Sequence, residues 1–185
     1  YYMSNVNNDN DNDNENKQII NKEINSWEEL DIKNDLLRGI YSVGFENPSP
    51  IQRKAIVPMI KGHDIIAQAQ SGTGKTGCFT IASLELTDTN NDDVQVVILS
   101  PTRELSYQTK TVLDQIGNNM KKLRTQILVG GTSTDNDIKK LRDDLPQILV
   151  GCPGRIHDMM RRKHIDCSKI KLIVLDEADE MLSSG

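Results

Sequence analysis

Past residue 30 the chain switches repeatedly between helical and strand-like spacing of its apolar residues. Ile32, Leu36, Leu37 and Ile40 fall on one face of a helix that Asp31 can cap and Gly44 can end. Ser49-Pro50-Ile51-Gln52 reads as a second helix start, with Ser as cap and Pro in the first turn. Pro58 must break or kink that helix, and Gly62 follows it. From Asp64 on, short apolar runs at 65–68, 95–99, 125–129, 147–150 and 172–175 alternate with helical stretches near 76–86, 103–118, 135–143 and 154–162. The runs are rich in Val, Ile and Leu without clean alternation, as when both faces of a strand are covered. Strand and helix in turn imply right-handed crossovers, hence an α/β fold with a mainly parallel sheet and helices on both faces. Ligands of such a sheet bind beyond the carboxyl ends of its strands. The turns after Gln68, Leu99, Val129, Val150 and Leu175 should therefore share the functional edge.

Composition divides the chain. Residues 5–16 are almost wholly Asn, Asp and Glu, with Val6 the one large apolar side chain, too little to offset the entropy of ordering. Residues 1–23 are thus expected to be a disordered arm and 24–185 one domain, with Tyr1 and Tyr2 a remnant ahead of a natural start at Met3. The arm carries five acids and two bases, −3 of the net −5, which leaves −2 for the remainder. The basic footprint of a nucleic-acid binder is absent, so charge alone argues mildly against RNA. Cys78, Cys152 and Cys167 have no metal-ligand spacing and suit a reducing compartment, Cys78 and Cys167 as small core fillers. His63, His157 and His164 show no metal or catalytic spacing. No apolar run reaches the roughly 20 residues that span a bilayer. The expectation is a soluble intracellular protein without membrane contact.

Two segments carry candidate chemistry. Ala69-Gln70-Ser71-Gly72-Thr73-Gly74-Lys75-Thr76 lies between an apolar run and a helix, the setting of a phosphate loop. Its glycines let backbone N–H groups turn toward a phosphate, and the following helix N-terminus adds partial positive charge. Lys75 would reach the terminal phosphates and the Thr76 hydroxyl would ligate Mg²⁺; Ala69 departs from the usual leading Gly. Farther on, Lys171-Leu172-Ile173-Val174-Leu175 runs into Asp176-Glu177-Ala178-Asp179. A carboxylate at the end of a buried strand needs a positive partner. Nucleotide-bound Mg²⁺ would supply it, with Asp176 holding the metal through water and Glu177 acting as general base toward an attacking water. The bland alternative is an acidic first turn that suits the helix dipole. A guanine-specific Asn-Lys-x-Asp motif, which would point to a GTPase switch, is not present.

Asp-Glu-Ala-Asp at 176–179 is the sequence that names the DEAD-box helicases, and further segments resemble that family's motifs in the family's order. Phe45 and Pro48-Ser49-Pro50-Ile51-Gln52 resemble its adenine-recognition motif, and Trp27 stands where the family usually has Phe. Pro101-Thr102-Arg103-Glu104-Leu105, Gly130-Gly131 and Pro153-Gly154-Arg155 resemble the segments that grip an RNA backbone. The resemblance covers about 26–185, and Asp179-Glu180-Met181-Leu182-Ser183-Ser184-Gly185 is most similar to the family's translation-initiation branch.

The resemblance implies an amino-terminal RecA-like ATP-binding domain, incomplete at its carboxyl end, with ATP and Mg²⁺ as cofactors. It implies RNA-stimulated ATP hydrolysis coupled to duplex unwinding, with RNA and translation initiation scaffold proteins as partners of a cytoplasmic monomer. An ATP-gated RNA clamp of the exon-junction type, which is nuclear, is the alternative within the family. Gln52 would read the adenine edge and Phe45 would stack on the ring, with Ser71, Gly72, Thr73, Gly74, Lys75 and Thr76 around the phosphates. Ser49 and Gln52 also form an S-x-x-Q capping box that needs no ligand. Pro101, Thr102, Arg103, Gly130, Gly131, Pro153, Gly154 and Arg155 would clamp RNA phosphates, Arg103 and Arg155 being the charged members; a surface salt bridge is the plain alternative for both. Asp179 would couple hydrolysis to unwinding. Cys152 stands where the family carries Thr, so a hydroxyl contact to phosphate would be lost. Arg161-Arg162-Lys163-His164 reads better as a complement to a helix C-terminus. In the family a strand from beyond Gly185 lies between the phosphate-loop strand and the acidic strand, so these two are not expected to pair with each other.

Overall fold

The computed structural model describes residues 2–4 and 22–183. Six strands form one sheet: β1 (Tyr2–Ser4), β2 (Ile65–Ile66), β3 (Val96–Leu99), β4 (Thr125–Leu128), β5 (Ile148–Gly151) and β6 (Leu172–Leu175), in the order β2-β1-β6-β3-β5-β4. The helices are α1 (Asn34–Ser42), α2 (Pro50–Ile60), α3 (Lys75–Leu86), α4 (Arg103–Ile116), α5 (Thr134–Asp143), α6 (Pro153–Arg161) and α7 (Ala178–Ser183). The pairings of β3 with β6 and β5, and of β5 with β4, are all parallel. This is the expected RecA-like α/β architecture.

The even apolar character of the central strands follows from burial on both faces. Val96, Ile98, Ile148, Val150, Leu172 and Val174 enter one core with Ile40, Ile56, Phe79, Leu84 and Leu113 from α1–α4. The alternate residues Val97 and Leu149 enter a second core with Leu141, Ile156 and Met159 from α5 and α6. Helix starts obey local chemistry: the Thr102 hydroxyl accepts from the Leu105 N–H at 3.2 Å, and Ser133 accepts from Asn136 at 3.3 Å. Gly39, in mid-helix, lets α1 lie directly on the end of α4, since a Cβ there would sit 1.7 Å from the Ile116 carbonyl oxygen.

Several expectations need correction. Helix α1 starts at Asn34, and Asp31 does not cap it. Lys33 is instead drawn onto the carboxyl end of α3, its Nζ donating to the carbonyls of Leu84 at 3.3 Å, Thr87 at 3.0 Å and Glu85. Helix α2 passes through Pro58 without breaking and ends two residues later at Ile60. The phosphate-loop strand stops at Ile66 rather than Gln68. Cys167 is exposed rather than a core filler, in a 3₁₀ turn that the Asp166 side chain caps through Ser168 N–H at 2.9 Å. The arm is not wholly unstructured, for Tyr2–Ser4 forms a strand; the Asn/Asp-rich stretch at 5–16 lies outside the described residues. β2 and β6 are not paired with each other, as expected. Tyr2–Ser4 lies between them, antiparallel to both, with Tyr2 opposite Ile66 and Leu175.

Candidate nucleotide and RNA site

Parallel register brings the strand ends into one row. Leu99 is level with Gly151 and Leu175, and Leu128 with Gly151. Three backbone bonds carry this alignment past the strands: Ser100 N–H to Gly151 O at 3.0 Å, Cys152 N–H to Leu128 O at 3.0 Å and Asp176 N–H to Leu99 O at 2.9 Å. The turns that follow are thereby fixed side by side, as the sheet topology requires.

At the phosphate loop, Gly72 and Gly74 have φ of +78° and +93°, the left-handed conformation that glycine tolerates best. Gly74 leads directly into α3, so the loop ends on the positive pole of a helix of 12 residues. The Thr73 hydroxyl donates to Gln70 O at 2.7 Å and braces the turn. Lys75 Nζ lies 3.1 Å from Glu177 Oε1, an ion pair between residues 102 positions apart in the chain. Glu177 has φ +49° and sits between buried Asp176 and helix α7. Burial, and then the neighbouring Glu177 charge, push the Asp176 carboxyl above its ordinary range, with Lys75 opposing. A group so placed favours a nearby cation. Thr76 is partly buried in the first turn of α3. The donor set of Thr76 hydroxyl and Asp176 carboxylate is of the hard-oxygen kind that Mg²⁺ takes alongside phosphate and water. Among the described residues no cluster of three or more His, Cys, Asp or Glu could hold a metal without such help.

The adenine-motif residues pack onto the start of α3. Gln52 is buried, and both ends of its amide are engaged: Oε1 accepts from Ser49 N–H at 2.8 Å and Nε2 donates to Gly74 O at 3.1 Å. The Ser49 N–H contact is one half of the expected capping box; the Gly74 contact ties the motif to the phosphate loop. A Cβ at Gly77 would meet Phe45 and Gln52 at 2.9 Å, so glycine there is what admits both side chains. Trp27, fully buried, donates from Nε1 to the Phe45 carbonyl at 2.8 Å and fixes the segment from which Phe45 projects. That support was visible in the sequence only as an isolated aromatic ahead of the motif.

The other three turns line the same edge. Pro101 and Thr102 are partly buried, Arg103 is exposed, and Arg103 Nη1 lies so close over Gly131 that a Cβ there would be 2.6 Å from it. Gly130, Gly131 and Gly154 are exposed, and nothing would obstruct a Cβ at Gly130 or Gly154. Pro153 opens α6 with Cys152 as its N-cap, but Cys152 makes no capping bond; its Sγ lies 3.7 Å from Ser106 Oγ. Arg155, expected among the surface-facing phosphate contacts, is turned inward onto Asp137 and Thr132. Asp179 is exposed in the first turn of α7. Arg161 and Arg162 pair with Asp158, each at 3.0 Å, which accounts for most of the basic run. No helix among the described residues is long and apolar enough to cross a membrane.

The chain has clear relatives among known proteins. Residues 49–185 match the family model described as DEAD/DEAH box helicase. The chain is 52% identical over 162 residues to the ATP-dependent RNA helicase eIF4A of Pyricularia oryzae and 51% identical to that of Neurospora crassa, in each case covering 88% of this chain. It spans 40% of the length of either relative. Among solved structures, a DEAD box protein from the hyperthermophile Methanococcus jannaschii superimposes with a TM-score of 0.82 at 37% identity, over 88% of this chain and 44% of that one. Saccharomyces cerevisiae Dbp5 bound to RNA and ADP BeF3 gives 0.77 at 38% identity, over 86% of this chain and 40% of that one. Matched across most of its length by both sequence and fold, the chain belongs to the DEAD/DEAH-box helicase family.

Proposed function

We propose that the chain is the ATP-binding part of an ATP-dependent RNA helicase, in which RNA-stimulated ATP hydrolysis is coupled to duplex unwinding, and that it serves translation initiation. Residues 24–185 would be part of its amino-terminal RecA-like domain and 1–23 an arm, from which Tyr2–Ser4 enters the same sheet. The observation that carries the reading is the meeting of Lys75 with Glu177 beside buried Asp176, which joins the phosphate loop to the acidic strand end. ATP and Mg²⁺ are the cofactors that fit. Ser71, Gly72, Thr73, Gly74 and Lys75 would surround the phosphates, Thr76 and water-linked Asp176 would face the metal, and Phe45 and Gln52 would contact adenine. Gln52 must exchange its Gly74 contact for the base to do so. Lys75 would hold the terminal phosphates, and Glu177 would accept the proton of the attacking water. Mg²⁺ supplies charge neutralisation at the phosphates when bound.

RNA would lie across the turns at Pro101–Arg103, Gly130–Gly131 and 153–155, gripped through its phosphates without base reading. The exposed, unobstructed Gly130 and Gly154 support this, as does the capture of the relative Dbp5 with RNA and ADP BeF3. Asp179 would couple hydrolysis to unwinding. The eIF4A names of the similar curated proteins support the translation role, with initiation scaffold proteins as partners, a monomeric state and a cytoplasmic location. The test is titration with a fluorescent ATP analogue and Mg²⁺, followed by ATPase turnover with and without RNA in the natural protein. Saturable binding lost in Lys75→Ala, and turnover raised by RNA and lost in Glu177→Gln, are expected. Binding indifferent to Lys75, or a preference for guanine nucleotides, would overturn the reading.

A further inference from the structure

The Arg155 guanidinium is nearly enclosed, with side chains of Arg155 and Asp137 only 11% and 9% exposed. Nη1 donates to the Asp137 carboxylate and, at 3.1 Å, to the Thr132 hydroxyl; Nη2 donates to the Thr132 carbonyl at 3.0 Å. The Thr132 hydroxyl in turn donates to Val129 O at 2.9 Å. Asp137 is held from behind, its carbonyl accepting from Gln126 Nε2 at 3.4 Å. Arg155 stands third in α6, where a positive charge opposes the helix dipole, so its position there depends on the oxygens that surround it. Such a fork suits arginine and not lysine. Exposed Arg103 lies against the same turn, its Nη1 close over Gly131.

Resting on the RNA reading above, we infer that Arg155 is a positioning residue rather than a phosphate contact. With Asp137 and Thr132 it locks the Gly130–Thr132 turn to the start of α6. The phosphate contacts then fall to Arg103 and to the exposed backbone of Gly130, Gly131 and Gly154. The sign of one substitution separates the two roles. If Arg155 touched RNA, Asp137→Asn would remove a carboxylate that competes with phosphate, and binding would hold or tighten. If Arg155 positions the turn, Asp137→Asn loosens the turn and binding weakens.

The experiment measures binding of a fluorescein-labelled single-stranded oligouridine by the natural protein, with Mg²⁺ and a non-hydrolysable ATP analogue. Asp137→Asn, Arg155→Lys and their combination are compared, with hydrogen exchange followed over 130–132. Each single change should weaken RNA binding by roughly tenfold, within the range of residues that act through a connecting network. The double change should be no worse than either alone, since both break one lock, and exchange at the turn should quicken in all three. Thr132→Val removes a hydroxyl without uncovering a buried charge, and should give a smaller loss in the same direction. Unaltered or tighter binding in Asp137→Asn alongside a loss in Arg155→Lys would overturn the inference and return Arg155 to the phosphate. A lower melting temperature with RNA affinity intact would also overturn it, leaving only a structural pair. Failure of the unsubstituted protein to bind the oligouridine would remove the RNA reading itself, and this inference with it.

Discussion

Asp176 should be a liability to the nucleotide-free chain and an asset to the loaded one, and Asp176→Asn should reverse both. The residue is 5% exposed, and burial followed by the Glu177 charge raises its carboxyl above the ordinary carboxylate range. A raised value in the folded state means that folding favours the protonated acid. Stability is therefore greatest below the unfolded value of about 3.9 and declines as pH rises through the folded value. Asn keeps the shape and cannot ionise. The relief should be about 1 kcal/mol, the low end of the cost of a poorly solvated buried polar group, which shifts the melting temperature of a chain this size upward by about 2–4 °C. Nucleotide inverts the order. With Mg-ATP at a hundred times its dissociation constant the native chain gains about 2.7 kcal/mol, whereas the variant, short of a metal-facing carboxylate, gains less. Thermal unfolding from about pH 3, below the unfolded value, up to about pH 8, with EDTA and then with Mg-ATP, reads both effects. The gap in EDTA should widen with pH, and Mg-ATP should close or reverse it. A variant less stable than native in EDTA at pH 8, or a gap independent of pH, would refute the account of Asp176.

Three further outcomes follow from local geometry. Gly39→Ala drives a methyl into the Ile116 carbonyl and should cost about 3 kcal/mol, the upper range for overpacking, read as a lower urea midpoint. Trp27→Phe loses the donor to the Phe45 carbonyl and should cost about 1 kcal/mol in urea unfolding, with weaker binding of ATP in the same titration used for Lys75→Ala. Cys152→Thr supplies the capping hydroxyl that α6 lacks and should raise stability by about 1 kcal/mol; no gain would mean that the Ser106 contact already serves.

How much of this was legible in the sequence depends on the distance over which each feature is decided. Strand and helix positions follow from local periodicity, and the shared functional edge follows from topology, so the phosphate loop, the acidic strand end and the glycine turns could be placed together beforehand. Boundaries slipped where a tertiary partner overrode a local signal, as when the end of α3 pulled Lys33 into place and left Asp31 uncapping. The pairing of Tyr2–Ser4 between β2 and β6 could not be read, because three residues carry no periodicity. Arg155 shows the same limit: its motif position suggested a surface role, but its direction is set by Asp137, on another helix 18 residues earlier. Gly39 did leave a signal, an isolated glycine inside a helical pattern, which points to a close approach without saying of what.

The side chains proposed to meet nucleotide are already paired within the protein, and this shapes how they should respond. Lys75 is paired with Glu177, and the Gln52 amide is spent on Ser49 and Gly74. A phosphate must therefore take Lys75 from Glu177, and the base becomes free only once that exchange has occurred. The Lys75 and Glu177 side chains are 16% and 36% exposed, so the pair lies between a buried and a surface bridge. Its worth is about 1 kcal/mol or less, at most about fivefold in affinity. Glu177→Gln should thus bind Mg-ATP a few-fold more tightly than the native chain while losing hydrolysis. Since ADP lacks the terminal phosphate that Lys75 would hold, its affinity should change less. Competitive titration of the two nucleotides against a fluorescent analogue measures the difference directly. Equal tightening for ADP and ATP would show that Glu177 merely repels negative charge, and weaker ATP binding would mean that the ion pair holds Lys75 in its working position instead of competing for it.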